Sequence, residues 1–373
     1  MGILAIKKLL LSAGVEVNGR NPWDIQIKDE RTYVRVLRGG SLGLGEAYMD
    51  GWWNAEKLDE FFDRILRFQI ERSVTLTLPL IWQALVARVV NRQARQKAFH
   101  IGERHYDTGN DIFELMLGKT MAYSCGYWNL PAGGVKNLDE AQEAKFDLVC
   151  RKMELKSGMH ILDIGCGWGT FMKYAVEHYG VSAVGFTVSK EQAEWGKNVC
   201  RGLPIEIRLE DYRNISESFD RIISIGMFEH VGYKNYRSFM RVVARCLKDN
   251  GLFLLHTIGN SRSTRTGDAW MERYIFPGGQ LPSIRQIGAA IEDVFVMEDW
   301  HNFGTDYDKT LMAWYVNFEK NWPSLKEKYG DRFYRMWTYY LLSCAGAFRS
   351  RKMQLWQIIL SKKGVLGGWR AVR

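Results

Sequence analysis

The stretch Ile161-Leu162-Asp163-Ile164-Gly165-Cys166-Gly167-Trp168-Gly169 decides the fold of this chain. Apolar residues run into an acidic one, then a glycine-rich turn, then an amphipathic segment. An α/β sheet builds a nucleoside-cofactor site in this way, at the carboxyl end of its first strand. Gly165 and Gly167 free the backbone for a turn that a Cβ would obstruct. The N–H groups opening the next helix are then placed to hold a carboxylate or phosphate. Outward from this stretch, strand patterns at 159–164, 181–187, 204–209, 219–226 and 251–257 alternate with helical ones at 169–179, 189–201 and 236–247. That alternation predicts an α/β fold, a doubly wound and mainly parallel sheet covered on both faces. Two more strands are expected near 294–301 and 353–360, with aromatic-rich helices between them. The Gly/Pro/Ser-rich stretch 259–283 reads as an excursion that covers the site.

The glycine spacing narrows the cofactor. A dinucleotide fingerprint places glycines first, third and sixth. Here they fall first, third and fifth, and the sixth position is Thr170. This resembles the class I S-adenosylmethionine (SAM) methyltransferases, whose Rossmann-like loop meets the methionine end of the cofactor. A tight turn with no ligand is the alternative for the motif taken alone.

At 373 residues the chain has room for two domains. Residues 1–100 read as a small, mostly helical N-terminal domain, and 101–373 as the catalytic domain. Helices are expected at 5–13, stopped by Gly14, and at 56–68, with Leu58, Phe61, Phe62, Ile65 and Leu66 at helical spacing. An aromatic turn, Tyr48 to Trp53, lies between them. In the segment 79–99, Leu80, Ile81, Trp82, Leu85, Val86, Val89 and Val90 make an apolar stripe beside Arg88, Arg92, Arg95 and Lys97. Such a helix can lie in a membrane interface or serve as a core helix with a solvated basic face.

Composition bounds the function. An apolar content of 46% supports real cores. No apolar run approaches the roughly 18–20 residues that span a bilayer, and the N-terminus lacks the order of a signal peptide. A cytoplasmic protein is expected. The six cysteines have no paired spacing, so reduced thiols are expected, and the seven histidines form no metal-binding pattern. The net charge of +9 favours an anionic partner. Basic residues interleaved with aliphatics suit a bilayer surface better than nucleic acid.

Several strand ends carry chemistry. Thr187 follows the second strand, where many SAM enzymes place a ribose-gripping acid, and Gln192 offers a substitute contact. Ser189 and Gln192 also fit a helix cap. Glu210-Asp211-Tyr212 follows the third strand, where an acid commonly meets the adenine amine. Glu229 and His230 follow the fourth strand and His256 the fifth. Asp306-Tyr307-Asp308 opens a helix, and Tyr123-Ser124-Cys125-Gly126-Tyr127-Trp128 precedes the sheet.

The blocks GSLGLGEAYMDGWW, HYDTGNDIFELML, YSCGYW, LDIGCGWG, MFEHVG, LLHTIG, YIFPGG, MEDWHNFGTDYDKTLMAWY and AGAFRSRKMQLWQ carry a resemblance over nearly the whole chain. It is to the cyclopropane-fatty-acid synthases, a family of SAM-dependent lipid methyltransferases. The resemblance implies transfer of the SAM methyl to a cis double bond in an acyl chain of a membrane phospholipid. A carbocation forms, a bound bicarbonate removes a proton, and a cyclopropane ring closes. It assigns the bicarbonate to Cys125, Glu229, His256, Tyr307 and the backbone N–H of Ile258. Glu229 would either accept the bicarbonate proton or orient His256. The resemblance assigns SAM to Tyr123, Ser124, Asp163, Gly165, Gly167, Trp168, Gly169, Thr187, Gln192 and Asp211. Tyr127, Trp128 or Phe228 would face the cation with an aromatic ring. A homodimer on the inner face of an anionic membrane is expected. Two alternatives are a SAM methyltransferase for a soluble amine or phenol, and a non-catalytic binding protein.

Overall fold

The computed structural model describes residues 3–68, 109–129 and 134–373. The segment 79–99 and the start of the HYDTGNDIFELML block lie outside the described residues. Two short strands, β1 (Gln26–Ile27) and β2 (Trp53–Asn54), pair antiparallel. The main sheet is built from β3 (His160–Ile164), β4 (Ser182–Thr187), β5 (Ile205–Leu209), β6 (Phe219–Ile225), β7 (Leu247–Asn260), β8 (Val296–Asn302) and β9 (Met353–Ser361). Its spatial order is β5-β4-β3-β6-β7-β9-β8. β3 pairs parallel with β4 and β6, β4 with β5, and β6 with β7, while β8 pairs antiparallel with β9. All seven expected strands are present, and the sheet is doubly wound.

Alternation along the strands builds the two layers. Leu162 and Ile164 join Phe219, Ile222, Phe239 and Phe253 in one core cluster. Ile161 joins Val149, Met172, Ile223 and Leu254 in the other. Both faces of β3 are thus buried, as a parallel sheet requires. Strand order reverses at β3, with β4 on one side and β6 on the other. This switch point opens a crevice at the carboxyl ends of the strands.

The helices Thr170–Tyr179, Lys190–Val199 and Tyr236–Cys246 lie where their periodicity places them. Helix Leu138–Lys152 was not foreseen. Asn137 caps it by accepting from the Glu140 N–H, with Asp139 and Glu140 in its first turn and Arg151 and Lys152 in its last. Those charges complement the helix dipole.

The chain divides into two compact units. The first takes Met1–Val90, Arg265–Pro277 and Tyr307–Met353, and the second Asn91–Thr264, Gly278–Asp306 and Gln354–Arg373. A single cut near residue 100 therefore does not describe the compact units, because two later stretches join the N-terminal one. In the first unit, Tyr48, Trp53, Phe61, Phe62 and Trp270 gather around Tyr339 and one another, with centroids 4.5–6.5 Å apart. Arg349 bonds Asp59 at 2.6 Å and Asp308 at 2.9 Å. The middle of the 259–283 excursion thus contributes Trp270 to this core rather than forming a simple cover.

The helical segment Arg31–Met49, kinked at Gly40, was missed because its glycines oppose helix propensity. Packing reverses that preference at Gly45, where an added Cβ would collide with the Trp270 indole. Gly45→Ala is expected to destabilise the protein by about 2–3 kcal/mol. Urea unfolding checks this, and a stability equal to wild type would show that the indole has room to move.

Candidate active site

The loop after β3 is the floor of the site. The N–H groups of Gly165 and Cys166 donate to the Phe186 carbonyl of β4 at 2.9 and 3.1 Å. Gly165 has φ +84° and Gly167 φ +53°. A Cβ on Gly165 would lie 2.6 Å from Met227 Cβ, so the loops after β3 and β6 touch there. A Cβ on Gly167 would meet nothing nearer than Gln192 Nε2 at 4.0 Å. Gly169 takes φ +78° and caps helix Thr170–Tyr179. Trp168 packs its ring on Phe113, and Tyr123 packs on the same ring, at 5.3 and 5.1 Å. Helix Asn110–Leu117 supplies Phe113 and so joins the two segments assigned to the cofactor.

Helix Leu138–Lys152 pins the segment around Ser124 and Cys125. The Tyr127 N–H donates to the Ala141 carbonyl at 2.8 Å. Gln142 donates to the carbonyls of Ala122 and Ser124, and Lys145 Nζ donates to Ser124 Oγ at 2.7 Å. Asp306 continues the pinning by accepting from the Trp128 N–H at 2.8 Å. Burial pushes the Asp163 carboxyl up to about 7, against the pull of the Lys145 ammonium. Asp163 Oδ1 is buried without a hydrogen-bond partner.

The other residues assigned to the cofactor are engaged locally. Thr187 Oγ1 donates to Gln192 Oε1 at 3.1 Å, while Ser189 caps helix Lys190–Val199 by accepting from the Gln192 N–H. Asp211 accepts from the Arg213 N–H and pairs with its guanidinium at 3.1 Å.

The carboxyl ends of β6 and β7 hold two buried titratable groups. Glu229 lies on the turn Phe228–His230 and is buried. Its Oε1 accepts the Ile258 N–H at 2.6 Å, while Oε2 is buried and unmatched. Burial pushes its carboxyl up to about 7, although hydrogen bonds from the Ile258 N–H and Thr257 favour the anion. Burial, reinforced by Lys145, Lys152 and His301, holds His256 far below the usual imidazole range, so the ring is neutral. Its Nδ1 meets Gln357 Nε2 of β9 at 3.2 Å, and its Nε2 is buried and unmatched. An amide N–H donating to Nδ1 leaves the ring proton on Nε2. Phe303 stands edge-on to both His256 and Tyr127, at 5.8 and 5.5 Å. Cys125 is fully buried in the same unit.

Two assignments are modified, and one residue falls in the other unit. The Ile258 N–H is committed to Glu229, so it acts through that carboxyl. Phe228 stacks on Tyr236 at 4.2 Å and is edge-on to Phe239 inside the core, which removes it as a cation-facing ring. Tyr307 belongs to the first unit, where it stacks on Phe348 at 4.5 Å. Sequence reading missed Lys145, Gln142 and Gln357. The available signal was a polar residue inside a buried period: Lys145 three residues after Gln142 on the inner helix face, and Gln357 within the apolar run of β9.

Comparison with known proteins places this geometry. Residues 93–358 match the model of the mycolic acid cyclopropane synthetase family. The chain belongs to that family. It is 50% identical to the cyclopropane-fatty-acyl-phospholipid synthase of Escherichia coli, covering 98% of this chain and 94% of that one. The mycolic acid cyclopropane synthase CmaA1, solved with SAH and CTAB, is 33% identical with TM-score 0.66, covering 71% of this chain and 98% of that one. Coclaurine N-methyltransferase, at 20% identity and TM-score 0.70, shares the fold over 86% of this chain and 99% of that one. Membership makes the chain a SAM-dependent methyltransferase of the cyclopropane-synthase kind.

Gln357→Leu removes the amide that fixes the His256 tautomer and is expected to lower turnover about 10–100-fold. Steady-state kinetics with SAM affinity measured alongside tests this, since a purely structural role would weaken both together.

Proposed function

We propose that this protein transfers the methyl carbon of SAM to a cis double bond of a phospholipid acyl chain and closes a cyclopropane ring. The observation that carries this reading is the buried pair of Glu229 and His256, each with one polar atom left unmatched. A methyltransferase for an amine or phenol needs no such pair in a dry pocket. The donor set fits a small oxyanion: an unmatched imidazole N–H and a carboxyl able to donate when protonated, with Cys125 a buried thiol of the same unit. Bicarbonate held there would supply the base that removes a proton from the transferred methyl. Glu229, whose carboxyl is raised to about 7, and His256, with a neutral N–H at Nε2, are the residues that would hold it. The Ile258 N–H keeps Glu229 oriented.

For SAM, the glycine loop, Tyr123, Ser124, Asp163 and Trp168 form the methionine end of the site. Thr187, Gln192 and Asp211 serve the ribose and adenine. An alkene is a weak nucleophile, so these contacts must hold donor and acceptor in near-attack geometry. The rings of Tyr127 and Phe303 help to exclude water, which would trap a carbocation as an alcohol.

The protein works on the inner face of an anionic membrane as a peripheral homodimer. The net charge of +9 supports the surface reading. So does helix Ile3–Ser12, which exposes Ile3, Leu4 and Leu11 beside Lys7 and Lys8. Among the described residues no helix is long and apolar enough to cross a membrane. Mass spectrometry of unsaturated phospholipid vesicles incubated with protein and SAM tests the reaction. A gain of one CH2 with loss of the olefin is expected. Unchanged lipids with intact SAM binding would move the methyl to another acceptor.

A further inference from the structure

We propose that Lys145 is a positioning residue that presents the Ser124 hydroxyl as a hydrogen-bond donor to the carboxylate of SAM. The inference rests on the proposed placement of Ser124 beside the cofactor and adds the group that orients it. Lys145 lies in the middle of the inner face of helix Leu138–Lys152 and is 1% exposed. Burying an ammonium costs several kcal/mol, and an apolar residue of similar size would pack there at less cost. The charge therefore has to be explained by what it touches.

An ammonium only donates. Lys145 Nζ lies 2.7 Å from Ser124 Oγ, so the hydroxyl oxygen is the acceptor and its own proton points elsewhere. Among the described residues no acceptor takes that proton. Gln142, on the same helix face, holds the Ser124 carbonyl at 2.8 Å and keeps the backbone from turning away. Ser124 follows Tyr123, whose ring shares Phe113 with Trp168 of the glycine loop. The hydroxyl is thus an oriented donor, backed by a cation, at the edge of the cofactor loop.

SAM offers one anionic group, its carboxylate, together with two cationic ones. The Lys145 charge attracts the first and repels the ammonium and sulfonium, which sets the direction of the methionine moiety. The charges facing Lys145 are consistent with this role. Asp163, with its unmatched Oδ1, and Cys125 favour the ammonium, while burial pulls it down to about 7. Lys145 in turn helps keep His256 neutral.

Calorimetry on the full chain with two ligands tests the proposal. S-adenosylhomocysteine carries the amino-acid moiety, and 5′-methylthioadenosine lacks it. Lys145→Met is expected to weaken S-adenosylhomocysteine at least about tenfold and 5′-methylthioadenosine less than about twofold. Ser124→Ala should give the same selective loss, and the double variant should be no weaker than either single one. Equal losses for both ligands, or an unchanged S-adenosylhomocysteine affinity, would overturn it. If Lys145→Met fails to fold, the two-ligand comparison in Ser124→Ala decides. A wild type that binds S-adenosylhomocysteine but forms no lipid product would sink the proposed reaction and leave this inference standing. A wild type with no preference between the two ligands would sink the inference alone.

Discussion

Glu229→Gln is expected to lower turnover about 10²–10³-fold while SAM affinity stays within about twofold. Glutamine keeps an oxygen for the Ile258 N–H, now bonded to Glu229 at 2.6 Å, and its amide still donates from the second position. What it loses is the ability to gain and release a proton near neutral pH. The substitution therefore separates proton exchange from shape and hydrogen bonding. Steady-state kinetics beside calorimetry checks it, and equal losses in turnover and affinity would assign Glu229 a structural role.

The same substitution has a stability signature of opposite sign. Burial raises the Glu229 carboxyl from 4.5 to about 7 in the folded protein. A raised pKa means that the native state holds the proton more tightly than the unfolded chain. The resulting stability is fully present below pH 4.5 and is lost as pH rises through about 7. The shift corresponds to roughly 3 kcal/mol. Glu229→Gln has no such titration, so its stability relative to wild type should rise by about that amount between those two pH values. Urea unfolding at several pH values reads this directly, and parallel profiles would show that the native carboxyl titrates normally.

The sheet was legible because its physics is local. Ile161, Leu162 and Ile164 form an apolar run that suits a strand buried on both faces, and the following helix has its own apolar period. The helical segment Arg31–Met49 was not legible, since Gly45 makes sense only against Trp270, more than two hundred residues later. The two-unit division was hidden for the same reason: Arg265–Pro277 and Tyr307–Met353 join the first unit by tertiary contact alone.

The candidate site divides along a similar line. Glu229, His256 and the glycine loop sit at strand ends, where topology makes a polar residue conspicuous. Lys145 and Gln357 lie inside buried apolar periods, where a single polar residue reads as an exception to the pattern. Their meaning emerges only from partners on other elements, Ser124 and His256. Phe228 shows the converse: it was expected among the aromatic rings facing the cation, yet Tyr236 and Phe239 claim its ring for the core.

Gly165→Ala and Gly167→Ala should fail in different ways, and the contrast tests the cofactor loop. Both residues have positive φ, at +84° and +53°, so each alanine carries backbone strain of about 1–2 kcal/mol. At Gly165 the new methyl would also lie 2.6 Å from Met227 Cβ, an atom close to the backbone that cannot swing aside. That variant is expected to lose about 3 kcal/mol of stability or more, before any ligand is considered. At Gly167 the methyl enters open space, with Gln192 Nε2 4.0 Å away. Its stability loss should stay near the strain alone. Its SAM affinity should fall at least about 100-fold, because the methyl occupies the approach of the cofactor to the backbone. Thermal unfolding and calorimetry on both variants separate the two effects. A Gly167→Ala protein that binds SAM like wild type would show that the cofactor does not meet this loop, however well the loop is formed.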